Sequence, residues 1–104
     1  MDTDIVIFRK FLDGDVIALL PYLPAECLTA WPCQSYMHIG QHGAADPRIV
    51  DDTRPARPRE YASLKAELER IGYRLAVRRR FPTDAYARRK AALASIFPSP
   101  WDSG

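Results

Sequence analysis

The chain contains no apolar run approaching the ~20 residues that a membrane-spanning helix needs, and its start, Met1-Asp2-Thr3-Asp4, is acidic where a secretory leader is basic. A soluble, cytoplasmic protein is therefore expected. Cysteine is scarce. Cys27 and Cys33 are the only two, and they match neither a Cys-x-x-Cys redox motif nor a zinc-ligand spacing. A disulfide between them would close only a short loop, and in a reducing compartment free thiols are the expectation. The chain carries no Gly-x-Ser-x-Gly nucleophile elbow, phosphate-binding loop or paired-carboxylate motif. It also has no internal repeat and no low-complexity segment, and 104 residues leave no room for a second domain beside one core built from a 47 % hydrophobic composition.

What the chain does have is a division of charge that its net +2 conceals. Through Thr53, three basic residues (Arg9, Lys10, Arg48) stand against eight acidic ones, a balance of −5. From Arg54 onward, twelve basic residues stand against five acids, a balance of +7. Such polarity suits a basic face for nucleic acid or an acidic protein, and is also compatible with ordinary solvated charge.

Hydropathy patterning predicts an α+β domain over residues 1–97 with a tail at 98–104. Its expected architecture is a mostly antiparallel sheet of four to five strands packed on one helix, with an additional C-terminal helix. Ile5–Leu12 and Val16–Leu20 are rich in β-branched and aromatic residues, and Asp13-Gly14 between them predicts a two-residue hairpin turn with Phe11 opposite Val16 and Arg9 opposite Ala18. Pro21, Pro24 and Pro32 predict a loop, because proline removes ladder amides. Cys33–Ile39 alternates, with Cys33, Ser35, Met37 and Ile39 on one face and Gln34, Tyr36 and His38 on the other, which predicts a third strand ending in a tight turn at Gly40-Gln41-His42-Gly43. Arg48–Thr53 is a candidate short fourth strand.

Pro58 at a first helical position and Gly72 beyond the last bound a helix whose Tyr61, Leu64, Leu68 and Ile71 recur with the spacing of one face. After Gly72 the period becomes two: Tyr73, Leu75 and Val77 point one way, Arg74, Ala76 and Arg78 the other. Thr83 is a candidate cap for a final helix over 84–97, with Leu93, Ile96 and Phe97 as its apolar patch.

Two constellations carry the candidate chemistry. His38 and His42, the only histidines, could serve with Asp46, Cys33 or Tyr36 in general-base chemistry, since imidazole titrates near neutrality. No metal or cofactor is expected there, because no established ligand spacing surrounds them. Gly40-Gln41-His42-Gly43 matches the Gly-x-x-Gly loop of KH domains only formally, for that loop joins two helices. The second constellation is basic: Arg74, Arg78 and Arg80 on one strand row, Arg79 at its end, and Arg88, Arg89 and Lys90 on the last helix could converge on phosphates, with Tyr36 and Tyr86 as nearby stacking aromatics. The expected binding residues are thus Arg74, Arg78, Arg80, Arg88, Arg89 and Lys90, together with Tyr36, His38, Gln41 and His42.

Several stretches together resemble small proteins of phages, prophages and other bacterial mobile elements. They are Val6-Ile7-Phe8-Arg9-Lys10, Asp13 to Leu19, Ser35-Tyr36-Met37-His38-Ile39-Gly40-Gln41-His42-Gly43 through Asp46, Thr53-Arg54-Pro55-Ala56, and Glu60-Tyr61 leading to Ile71-Gly72-Tyr73. The resemblance covers about residues 5–80 and brings no activity with it. Such sequences tend to carry a helix-capping Ser or Thr where this one has Arg57, which leaves the helix start open by a residue or two.

The resemblance implies residence in a bacterial host and action by stoichiometric binding to a host protein or nucleoprotein complex, as anti-CRISPR and other anti-defence inhibitors act. A non-enzymatic binding protein is therefore the leading expectation. Its contact surface would be either the acidic first half, imitating nucleic acid, or the arginine-rich second half. The alternatives are direct nucleic-acid binding through the C-terminal third and a small enzyme using His38 and His42.

Overall fold

The computed structural model describes residues 3–26, 28–38 and 41–96, the side chain of Ile96 excepted. Cys27, Ile39, Gly40, Phe97 and the tail with Trp101 lie outside the described residues, and with them the expectations placed on those positions.

The elements are β1 (Asp4–Phe11), β2 (Val16–Pro24), β3 (Cys33–Met37), β4 (Gln41–Ala45), a 3-10 helix (Pro47–Asp52), β5 (Thr53–Pro55), α1 (Pro58–Ile71), β6 (Leu75–Val77) and α2 (Ala85–Ile96). They make an α+β fold around one sheet in the order β4-β3-β2-β1-β5, with β6 also on β1. All pairs are antiparallel except β1 with β6.

The hairpin forms where Asp-Gly predicts it, but one residue out of the expected register: Lys10 faces Val16 and Arg9 faces Ile17. The loop has three residues rather than two. Gly14 N donates to Phe11 O, Phe11 N donates to Asp15 O, and Gly14 takes φ 103°, the geometry of a tight turn closed by a glycine bulge.

The proline-rich stretch is in part a strand. β2 runs on to Pro24 because its pairing with β1 is complete by Leu19, and against β3 the register slips between Leu20 and Pro24. Pro21 and Pro24 therefore sit where the ladder requires no amide donor. Two further expectations are corrected. Pro47–Asp52 is 3-10 helix, not a strand: Asp46 caps it by accepting from Arg48 N, with Pro47 at the first position. Arg9 holds this segment against β1, donating to Thr53 Oγ1 and to the carbonyls of Val50 and Thr53. Gln41–Ala45 is strand rather than turn, with Gly43 opposite Ser35 and His42 opposite Tyr36.

Period-two alternation gives the sheet two apolar faces. Val6, Phe8, Ala18, Leu20 and Tyr36 meet Leu64 and Leu68 of α1, with Tyr61, Tyr73, Leu75 and Val77 around them. Each buried leucine contributes about 1.5–3 kcal/mol of transfer free energy. Ile71, expected on that face, is 50 % exposed, since α1 ends there. Gly72 closes the helix at φ 123°, its N–H and that of Tyr73 both reaching back to the last turn. At the other end Arg57 N donates to Glu60 Oε1, so α1 starts at Pro58 without a Ser or Thr cap.

The opposite face of the sheet (Ile7, Ile17, Leu19, Cys33, Ala45) is covered by Ile49 and Val50 of the 3-10 helix and by Phe81. α2 packs on the proline-bearing end of β2. It begins at Ala85, preceded by Asp84, whose carbonyl accepts from Arg88 N; Thr83 is not the flanking residue.

Candidate functional site

The basic residues divide into those the fold uses and those it leaves to solvent. Arg89 belongs to the first group. It is 1 % exposed, and its guanidinium donates to the carbonyls of Ala30 (2.7 Å), Pro21 (2.7 Å) and Trp31 (3.0 Å). Expected on a basic surface, it is instead the pin that ties α2 to β2 and to the loop after it. The slip in β2 makes this necessary, because carbonyls out of the ladder still need donors when buried. Arg88 is partly engaged, pairing with Asp84 at 3.2 Å and lying 5.1 Å over the Tyr22 ring. Tyr22 OH donates to the other Asp84 oxygen, which raises its pKa, while Arg88 and Arg78 both oppose that shift.

Lys10, Arg54 and Glu60 form a knot at the α1 N-terminus. Lys10 and Arg54 are cross-strand neighbours on β1 and β5. Their like charges are held together by Glu60, which accepts from Lys10 Nζ at 2.6 Å and from both terminal nitrogens of Arg54 at 2.9 and 2.6 Å. Hydrogen bonds from Arg54 first, then Lys10 and the Arg57 amide, hold the Glu60 carboxyl far below the usual carboxylate range.

Arg57, Arg74, Arg78, Arg79 and Arg80 are exposed and, among the described residues, have no carboxylate partner; Lys90 on α2 is likewise exposed and unpaired. Arg57, Arg78 and Arg79, with the engaged Arg54, line one cavity of about 510 Å³ whose other walls include Phe8, Pro55, Pro58, Tyr61 and Val77. Four arginines from three segments thus line one concave surface. Of these, Arg78 and Arg79 belong to the arginine-rich stretch expected as a strand, but β6 ends at Val77, so Arg78, Arg79 and Arg80 follow the strand rather than form a row on it. Arg54, Arg57 and the aromatic wall went unnoticed, because they come from β5, the helix cap and β1. The acids of the first half are more dispersed: Asp46 pairs with Arg48, which draws its pKa down to about 2, and Asp13, Asp51 and Asp52 line a cavity that Lys10 and Arg54 share.

The histidine-bearing segment makes a second cluster. Tyr36, 1 % exposed, gives its hydroxyl to Glu67 on α1 and is no stacking platform. His38 Nδ1 lies 3.1 Å from the other Glu67 oxygen, and its Nε2 lies 3.2 Å from Ser63 Oγ. In the tautomer with the proton on Nδ1, the imidazole donates to Glu67 and its Nε2 accepts from Ser63. Ser63 and Glu67 are one turn apart on α1 and so meet the same imidazole. Ser63 and Glu67 were missed in the sequence, although their four-residue spacing within the helix expected between Pro58 and Gly72 was available.

His42 does not join this chain; its ring meets the Tyr36 ring edge-on at 4.6 Å between centroids. Gln41 is an exposed edge-strand residue opposite Met37. His38, His42, Cys33 and Asp46, grouped in the sequence for general-base chemistry, do not gather at one point, for Cys33 is buried on the opposite face of the sheet. Burial pushes its thiol up to about 11.

Comparison with protein-family models, with curated proteins and with solved structures finds no match to this chain. Among the described residues no helix is long and apolar enough to cross a membrane.

Proposed function

We propose that this is a non-enzymatic binding protein that engages nucleic acid, free or carried by a host nucleoprotein complex, through the arginine-lined cleft beside the start of α1. The observation that carries the proposal is that Arg57, Arg78 and Arg79 line one cavity and have no carboxylate partner among the described residues. Guanidinium groups left unpaired in this way release counterions when phosphates replace them, which gives affinity without base readout. The resemblance to small mobile-element proteins supports the same class, with interference in a host defence complex as its biological form.

The test is fluorescence anisotropy with labelled DNA and RNA over a salt series. Affinity should fall with a log–log slope of about −0.7 per phosphate contacted on a single strand. Substituting Gln at Arg57, Arg78 and Arg79 together should flatten that slope by about two. An absence of binding to any nucleic acid at ~50 mM salt refutes the proposal.

One further observation favours a second reading. Ser63, His38 and Glu67 stand in the order nucleophile, base and orienting carboxylate, the arrangement of a serine hydrolase. If they act in this way, a fluorophosphonate probe labels the wild type at Ser63 and labels neither Ser63→Ala nor His38→Ala. Equal labelling of all three removes that reading.

A further inference from the structure

The cleft owes its shape to the way β1 shares its outer edge. Arg78 N donates to Val6 O at 2.9 Å, where β6 leaves β1, and Ala56 N donates to Phe8 O at 3.0 Å, where β5 leaves it. β6 runs parallel to β1 and β5 antiparallel, so the two strands part within two residues of each other and the chain on either side rises as a wall. The side chain at the parting is the buried Phe8, and Tyr61 of α1 stacks on it with ring centroids 4.3 Å apart and planes inclined by 7°. Phe8 is 3 % exposed and fixed in the central part of β1, so the plane of Tyr61 is set before any ligand arrives.

We infer that this cleft seats one nucleotide of a single-stranded nucleic acid, with its phosphate between Arg57 and Arg79 and its base against Tyr61. The inference rests on the binding function proposed above and names its ligand. A basic surface alone takes duplex and single strand alike, through phosphates. An aromatic ring recessed behind arginines adds a contact that only an unstacked base can reach, since in a duplex each base face is covered by its neighbours. The volume of about 510 Å³ lies within the range of small-molecule sites and accommodates one nucleotide rather than a run of chain. Arg54 serves as a fixed wall, because Glu60 holds both of its terminal nitrogens. Arg57 and Arg79 are the groups at liberty to close on a phosphate.

Anisotropy with the full chain tests this using four probes: a single-stranded oligonucleotide, its duplex, the same strand with abasic residues, and a nucleoside monophosphate. The intact single strand should bind about tenfold more tightly than the abasic strand, and more tightly than the duplex at equal phosphate number. Tyr61→Leu should lose about the same tenfold on the intact strand and nothing on the abasic one, while Tyr61→Phe keeps full affinity. The abasic probe needs no variant, so a Tyr61→Leu protein that failed to fold would leave the answer intact. Equal binding of intact strand, abasic strand and duplex overturns the nucleotide pocket while leaving nucleic-acid binding standing. Binding of the monophosphate as tight as that of the strand overturns the assignment to a polymer. No binding of any probe overturns the proposed function itself.

Discussion

Replacing Arg89 by Met tests the most consequential correction to the basic-surface expectation. The substitution keeps an unbranched stem of similar length and removes every donor. Two of the three carbonyls it serves, those of Pro21 and Ala30, accept buried hydrogen bonds, and that of Trp31 accepts a partly buried one. A buried acceptor left without a donor costs about 1–3 kcal/mol, and the Trp31 carbonyl can recover water. The uncharged methionine in turn avoids the desolvation of a guanidinium, which offsets part of the loss. The net expectation is a destabilisation of about 3 kcal/mol against the 5–15 kcal/mol of a typical domain. With a urea m-value of about 1.5 kcal/mol/M, the unfolding midpoint followed by circular dichroism falls by about 2 M. Arg89→Lys, with one ammonium for three scattered carbonyls, should recover less than half of that shift. The folded Arg89→Met protein should bind nucleic acid as wild type does. A midpoint shift below ~0.3 M, or intact stability with lost binding, would instead place Arg89 on the surface.

Other expectations follow from the same structure. Glu60 has its folded pKa depressed, so its ion pairs with Arg54 and Lys10 stabilise the protein above the ordinary unfolded value of about 4.3, and that stability is lost as pH falls through the folded value. Between pH 7 and 3 the wild-type urea midpoint should therefore drop further than that of Glu60→Gln. Cys33, raised to about 11, keeps its proton in the fold well above its unfolded value. In a Cys27→Ser background, a disulfide reagent should react at pH 8 only when urea is added. Gly72→Ala should destabilise by about 1 kcal/mol through the positive φ alone, because a Cβ there meets nothing within 4 Å. Gly72→Asn should recover part of the loss in thermal melts, since asparagine tolerates that conformation.

The α+β class, the first hairpin and α1 were legible because local chemistry determines them: Asp13-Gly14, Pro58 and Gly72 punctuate clear periodicities. What escaped depends on partners distant in sequence. The strand of Gln41-His42-Gly43-Ala44-Ala45 contains no β-branched or aromatic residue and exists because β3 pairs with it. The second half of β2 was hidden by prolines that the register slip makes harmless. Arg89 looked like Arg88 and Lys90 beside it, yet it lies four residues after the buried Ala85 and four before the half-buried Leu93, on the inward stripe of α2. That spacing was the available signal. The cleft had none, since Phe8, Arg57, Tyr61 and Arg79 come together only when β5 and β6 have both found β1.

The same dependence orders the events of synthesis. β1 precedes every other element of the fold in chain order, and β2 can zip to it as soon as the hairpin is clear. Its other flank stays open until Thr53–Pro55 and then Leu75–Val77 have been made, roughly seventy residues later. Until Pro58–Ile71 has been made, Val6 and Phe8 lack the helix that covers them, so the nascent chain presents a bare apolar hairpin that a chaperone can hold. Truncation before Leu75 would leave the N-terminal half of β1 permanently without its outer neighbour, and such fragments should aggregate rather than persist as a smaller domain.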